Sequence, residues 1–555
     1  MHRRCPPALT RQRGIALILL ITVLVIGVAW FTVGALGNAA PTTAERETRT
    51  GDALRIAKKA LLAYVAQYAA RSSSIEPGQM PCPEFLSSIG TSSQGQAGTS
   101  CSNASPTVGR LPWETLGVDE IRDGYGEPIW YVLSPGFRSA PINFETPGQL
   151  TYNGNPNAAV ALLIAPGPAL NTLSDPVTPP AGCSKVNQQI ATRNTASLNP
   201  SNFLECGNDS GSANYAVPGP SEWTNDRVIA ITATEWAQAI AGSVADRLQR
   251  QVAPRLEQWR TSDSVSNWGT SYLPYASNFS VPSSNSLCGS GTSEGLPPAA
   301  TTTSGTCSTN WTSGSVTPIS GSLFGTTCTP GVTNLQCTFS SFYSGFGSPL
   351  LQVEISATAP HIASSFRDAL NSGNVTITPL AGTAISGFSN SLSPATGDAT
   401  LRFNVSKSLG FGFTNFTVTI PNVPDAAMLS DASVSWYFAN DWPRYTYYGI
   451  SPAATVNPGV TTCPAGGGAQ CLTLSGLPAG NGTPNNKQLV LALMGPGPVR
   501  AQTQPSNNPA DYLESHASGS SIYTAQTVTS AFNDRLAACP FQQTPASGGP
   551  IAICN

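Results

Sequence analysis

The chain has 555 residues, of which only 10% are charged, and a net charge of −3 at neutral pH. With 27 basic against 30 acidic side chains it has no electrostatic footprint for nucleic acid, which excludes that class of partner. The 52 glycines and 47 prolines point instead to a turn-rich, β-containing exported protein.

Residues 1–14 read as a leader whose formal charges, Arg3, Arg4, Arg11 and Arg13, are all positive. Ile15 to Leu36 follow, 22 residues without a charge. As a helix they would reach roughly 33 Å, enough to cross a bilayer core once. The basic flank predicts a transmembrane helix over 15–36 with a cytoplasmic N-terminus and everything beyond Leu36 exported. Cleavage by a conventional signal peptidase is disfavoured, because Asn38 and Pro41 interrupt the small-residue stretch that such an enzyme needs.

Cys5 lies in the leader, and the other twelve cysteines (Cys82, Cys101, Cys183, Cys206, Cys288, Cys307, Cys328, Cys337, Cys463, Cys471, Cys539 and Cys554) lie beyond the apolar run. An even number in an oxidising compartment predicts up to six disulfides. Spacing favours neighbours such as Cys183 with Cys206, Cys328 with Cys337 and Cys463 with Cys471, with the full connectivity left open. No Cys-x-x-Cys occurs and only His361 and His516 follow the apolar run, so no metal site is expected.

Past the apolar run, Thr42 and Glu45 form a capping box, and Leu54, Ala57, Leu61, Val65 and Tyr68 recur at helical spacing. A helix of about 25 residues, ended by Pro77-Gly78, follows from that pattern. A loop holding Cys82 and Cys101 leads to Asp123-Gly124-Tyr125-Gly126-Glu127-Pro128-Ile129-Trp130-Tyr131, a glycine turn that opens an aromatic, half-buried strand.

Two of these segments resemble one family. Arg13-Gly14 directly before Ile15-Ala16-Leu17-Ile18 resembles the prepilin cleavage junction of type IV pilins and type II secretion pseudopilins, in which a dedicated peptidase cuts after the glycine. The Asp123–Tyr131 string resembles the Asp-x-Trp-Gly-x-Pro-Tyr-x-Tyr signature of pseudopilins. The resemblance covers residues 10 to about 134 and implies Gly14 and Ile15 as the processing site. It further implies a bacterial inner-membrane, single-pass protein with a periplasmic C-terminal region, partnered by the inner membrane, other pilin or pseudopilin subunits and a prepilin peptidase. Leu19 stands where most members carry a glutamate, a residue that the large minor pseudopilins of the fibre tip also lack.

The region beyond the apolar run also repeats itself. Ala161–Pro168 recurs as Leu491–Pro498, Asn199–Glu205 as Asn508–Glu514, and Asn225-Asp226-Arg227 as Asn533-Asp534-Arg535, in the same order. Thr232 and Glu235 cap a second helix, kinked at Pro254, and Asp441-Trp442-Pro443-Arg444-Tyr445 echoes the strand-opening motif. Pro297 and Pro443 are much further apart than Pro112 and Pro128, so about 130 residues are inserted in the second copy. Alternating apolar and polar residues around Leu351, Asn374, Thr400 and Phe416 predict a small β-sandwich there, and the Ser/Thr/Gly-rich approach over 282–325 reads as a cystine-stapled loop or linker.

The expected fold is therefore α+β. After the leader (1–14) and the transmembrane helix (15–36) come a first pilin-like helix-plus-antiparallel-sheet module (37–230) and a second (231–300 and 436–555), interrupted by an inserted β-rich domain (301–435). Gly291-Thr292-Ser293-Glu294-Gly295 matches a nucleophile elbow formally, but its Ser/Gly and Leu-Pro-Pro flanks are not the strand and helix that motif requires. The repeated Asp226 and Asp534 read as an arginine partner or a turn cap, and Asn153–Asn157 as a turn. No catalytic residue, cofactor or metal site is expected. The function read from the sequence is a minor pilin or pseudopilin acting in assembly or at the tip of a type IV pilus or type II secretion pseudopilus. The alternative is a membrane-anchored adhesin or binding protein outside any fibre.

Overall fold

The computed structural model describes residues 20–28, 42–71, 76–102, 104–169, 199–204, 208, 214–215, 224–256, 273, 276–279, 289–298, 311–331, 333–344, 351–358, 375–379, 383–393, 398–407, 411–421, 432–452, 468–476, 484–495, 512–514, 516–525 and 534–540.

Helix α1, Thr43–Ala70, starts at the capping box, with the Glu45 amide donating to Thr42 Oγ1 at 3.3 Å and the Thr42 amide to Glu45 Oε2 at 2.8 Å. Leu54, Ala57, Leu61 and Val65 form its buried face. The helix stops at Ala70, ahead of Pro77-Gly78. Strands β1 (Thr107–Arg110), β2 (Trp130–Leu133), β3 (Leu150–Tyr152), β4 (Asn155–Ala159), β5 (Ala161–Ala165), β6 (Asn214–Tyr215) and β7 (Arg227–Ile231) follow. Four of them make an antiparallel sheet in the order β1-β2-β5-β7, while β3 pairs with β4 and, in parallel, with β6. Asn153 and Gly154, at φ 52° and 78°, make the tight β3–β4 hairpin turn.

The glycine turn before β2 is built around a buried carboxylate. Asp123 Oδ1 accepts from the amides of Tyr125 (2.8 Å) and Glu127 (3.0 Å), and Oδ2 from the amide of Gly167 (3.0 Å). Gly124 is pressed against α1: its amide donates to Thr50 Oγ1 at 3.0 Å, and an added Cβ would sit 2.0 Å from the Arg46 carbonyl oxygen. Gly126 takes φ 88°, which favours glycine.

Helix α2, Ala233–Arg247, opens on a second capping box, Thr232 with Glu235. A π-helical segment, Leu248–Val252, continues it immediately ahead of Pro254, whose missing N–H leaves the Arg250 carbonyl without its usual helical donor. Then come β8 (Ala276–Ser277), β9 (Gly289–Thr292) and β10 (Glu294–Gly295), followed by the insertion: β11 (Ser313–Ser320), β12 (Phe324–Pro330), β13 (Asn334–Ser344), β14 (Leu351–Thr358), β15 (Thr376–Pro379), β16 (Thr383–Ser393), β17 (Asp398–Lys407) and β18 (Phe411–Pro421). The insertion's sheets, β11-β14-β17-β16 and β12-β13-β18-β15, bury Val353, Ile355, Leu401 and Phe403 from one and Leu335, Phe339, Phe416 and Val418 from the other. The 282–325 stretch is not simply a linker, because it holds β9, β10 and β11, and β11 satisfies its backbone by pairing with β14. The chain closes with α3 (Ser435–Ala439), β19 (Thr446–Ile450), β20 (Thr473–Ser475), β21 (Lys487–Leu493), β22 (Ile522–Thr524) and β23 (Arg535–Pro540).

The second sheet, β10-β19-β21-β23, repeats the first strand for strand, and β20 and β22 pair in parallel as β3 and β6 do. Gly109, Tyr131, Leu163 and Ile229 form one row across the first sheet, and Gly295, Tyr448, Leu491 and Ala537 one row across the second. The sequence match sets Leu163 beside Leu493, whereas the rows set it beside Leu491. That slip of two residues keeps every side chain on its own face. The helices lie side by side and parallel: Lys58 pairs with Glu235 at 2.6 Å, Ser243 Oγ donates to the Ala66 carbonyl at 2.7 Å, and Arg250 Nη2 to the Ala70 carbonyl at 3.3 Å.

Two expectations are corrected. The fold is dominated by strands spread over several small sheets, and not an α+β pilin fold led by a transmembrane helix over 15–36. Among the described residues no helix is long and apolar enough to cross a membrane. The described helical part of that run is residues 20–28, roughly 14 Å of rise against a core of about 30 Å. This also overturns the expected placement as a single-pass inner-membrane protein.

Gly124→Ala should destabilise the fold by about 1–3 kcal/mol, because the new methyl must displace the backbone of α1. Urea unfolding of the variant beside the parent measures this.

Candidate functional site

The expected processing pair, Gly14 and Ile15, lies outside the described residues, as do Cys183, Cys206, Cys288, Cys307, Cys463 and Cys554. Cys82 is bonded to Cys101, tying the loop after α1, and Cys328 to Cys337, directly opposite each other on β12 and β13. Cys471 is disulfide-bonded as well, and Cys539 lies on β23 opposite Leu489. Ser293 sits at a bend between β9 and β10, its carbonyl accepting from the Ile450 amide at 2.9 Å, with no helix after it, so no elbow is built around it. Asp226 accepts from Asn208 Nδ2 at 3.0 Å and Asp534 from the Glu514 amide at 2.6 Å. Asp534 thus ties the repeated Leu-Glu turn to the last strand, and Asp226 holds the corresponding place in the first sheet.

The densest polar cluster lies on the second sheet. Tyr447, buried on β19, donates to Glu294 Oε2 at 2.8 Å and lies 3.0 Å from Tyr523 Oη and 3.1 Å from His516 Nε2. Ser518 Oγ (2.6 Å) and the Gly519 amide (2.8 Å) donate to Glu294 Oε1. His516 Nδ1 faces the Ile522 carbonyl at 3.2 Å, while its Nε2 lies 3.5 Å from Glu294 Oε2. Burial alone would raise the pKa of Glu294, but donors led by His516, then Ser518, Tyr447 and Gly519, bring it down to about 2. Burial pushes Tyr447 and Tyr523 well above the ordinary tyrosine range. Both carboxylate oxygens are engaged and the carboxylate is held at low basicity, an arrangement that suits a polar clasp rather than a proton acceptor.

The sheet rows explain why the clasp is here. Tyr447 occupies the position of Trp130 in the first sheet, and Tyr523 that of Tyr215 in the parallel pair. In the first module this place is aromatic, Trp130 against Phe203 with ring centroids 5.3 Å apart and the Arg110 guanidinium over both rings. Trp436, Tyr437, Trp442, Tyr445, Tyr447 and Tyr448 are all buried and form no contact surface, and Phe438 among them is half-buried.

The exposed apolar feature is on the insertion. Phe411 and Phe413 on β18 are 77% and 61% exposed, and Phe324 and Phe342 from β12 and β13 are 46% and 43% exposed. Phe342 and Phe413 are direct cross-strand partners, and Phe324 and Phe411 meet them edge-on with centroids 5.5 Å away. The inner side of the same strands carries Phe339 stacked on Phe416 at 5.0 Å, so this sheet is aromatic on both faces. The four partly bare phenyl rings form an exposed apolar cluster, the kind of patch at which proteins meet other molecules.

Comparison with known proteins finds no family model, no curated protein and no solved structure that matches the chain.

Because the carboxyl of Glu294 titrates below its ordinary value of 4.5, its contribution is complete above about pH 4.5 and is lost as the pH falls towards about 2. Glu294→Gln should lower stability at neutral pH by on the order of 2 kcal/mol and flatten the stability profile across that window, as read by urea unfolding at a series of pH values. On the insertion, Phe411→Ser with Phe413→Ser should leave stability within about 1 kcal/mol of the parent while sharply reducing binding of an apolar fluorescent dye.

Proposed function

We propose that this chain is a minor pilin- or pseudopilin-like structural protein that acts in assembly or at the tip of a type IV pilus or type II secretion pseudopilus. The observation that carries the reading is the doubled helix-and-sheet unit, placed behind a junction that resembles a prepilin cleavage site. The glycine turn at Asp123 supports it, because its acceptor geometry and its contact with α1 give physical roles to the residues that resemble the pseudopilin signature. The polar clusters are engaged in holding turns and strands, which accords with a structural role. Other pilin or pseudopilin subunits and a prepilin peptidase are the partners this reading implies. No membrane-crossing segment forms part of it.

The phenylalanine face favours a second reading, an exported adhesin or binding protein outside any fibre that meets an uncharged, apolar partner through Phe411 and Phe413. Processing separates the two. The first reading expects a mature chain that begins at Ile15, seen as a mass loss matching residues 1–14, and expects Gly14→Ala to abolish it. An intact leader in cells with an active prepilin peptidase contradicts the first reading and leaves the second.

A further inference from the structure

α2 ends on a cation for which no described residue supplies an anion. Arg247 is completely buried, with its guanidinium carbon 4.1 Å above the ring of Trp436 on α3. Its Nε donates to Gln251 Oε1 at 3.2 Å, across the π-helical segment, while Nη1 and Nη2 have no acceptor. Trp436 Nε1 is buried and lacks an acceptor too. The adjacent carboxylate, Asp246, is half exposed and pairs with Arg250. Burial, with Arg250 adding to it, lowers the Arg247 pKa to about 10, so the group is still charged at neutral pH. A buried charge without a counter-charge is strongly unfavourable, and an arginine cannot escape by losing its proton.

We propose that the Arg247–Trp436 pair is a binding site for a small carboxylate-bearing ligand. Every unfilled group at the pair is a donor, so the missing component is an acceptor. Gln251 occupies Nε, which leaves the two Nη nitrogens as the free edge of the guanidinium, the edge that a carboxylate meets with two parallel hydrogen bonds. One carboxylate cancels one charge, whereas a doubly charged oxyanion such as sulfate would carry a second, unmatched charge into the interior. The indole ring covers one face of the guanidinium, so the ligand meets it edge-on.

Thermal unfolding of the full chain in formate or acetate, against chloride and sulfate at equal ionic strength, tests this. The expected result is a saturable rise in Tm of roughly 2–4 °C with formate or acetate alone, absent in Arg247→Met and reached only at several-fold higher concentration in Trp436→Phe, which keeps a ring and loses the N–H. Should Arg247→Met fail to fold, Arg247→Lys retains the charge without the fork and should bind formate at least tenfold more weakly by calorimetry. No carboxylate-specific shift in the parent, an equal shift with sulfate, or an unchanged response in the Arg247 variants overturns the proposal.

Discussion

The packing of α2 along α1 is the constraint on which the rest of the architecture depends. Trp236, one turn into α2, is completely buried, donates from Nε1 to the Gly78 carbonyl at 2.9 Å and meets Phe137 edge-on at 5.0 Å. Gly78 has φ 99°, and a Cβ there would lie 2.6 Å from the indole, so the loop after α1 is shaped around a residue of the second module. The same helix also meets the second sheet, with Gly242 lying against Arg535 of β23, and one continuous apolar cluster joins both modules. The Lys58–Glu235 pair reinforces the register at the half-exposed rim of this contact, where an ion pair contributes about 1 kcal/mol or less. The burial of Trp236 is the larger effect. A second bridge runs through Asn440, whose Oδ1 accepts from the Ile142 amide and whose carbonyl accepts from Asn143 Nδ2.

Much of this arrangement was legible in the sequence because it is local. Both capping boxes are four-residue patterns and both form. The order of the repeated segments matches the order of strands in the two sheets, and the alternation around Leu351 and Thr400 lies on paired strands. What escaped depends on residues far apart. Glu294 and His516 are 222 positions from each other, and nothing near either announces the clasp. The two-residue slip between the sheets is invisible to a match of similar letters, because both registers preserve the apolar face. The phenylalanine face did leave a signal: Phe411 and Phe413 share one side of a strand and Phe416 the other, a parity change that marks a strand apolar on both faces. The apolar run at 15–36 reads as a bilayer helix from hydropathy alone, yet no described helix is long and apolar enough to cross a membrane.

The buried carboxylates of the two modules hold turns and strands together. Asp123, Asp534 and Glu294 each accept from backbone amides, and Glu294 is in addition surrounded by hydroxyl and imidazole partners. Where the first sheet fills a position with Trp130 and Phe203, the second fills it with Tyr447, Tyr523 and a carboxylate, so duplication kept the backbone plan while the side chains diverged. The four clustered exposed phenylalanines, Phe324, Phe342, Phe411 and Phe413, lie on an insertion that extends only one copy.

The central claim is that the first module is completed by a helix belonging to the second. A chain of residues 42–232 retains α1 and all four strands of the first sheet but lacks α2, and its thermal unfolding by near-ultraviolet circular dichroism tests the claim directly. The expected result is no cooperative transition from this piece, with cooperative unfolding recovered when the chain extends to residue 256. A sharp, reversible transition in the shorter piece, as stable as the first module within the whole chain, contradicts it.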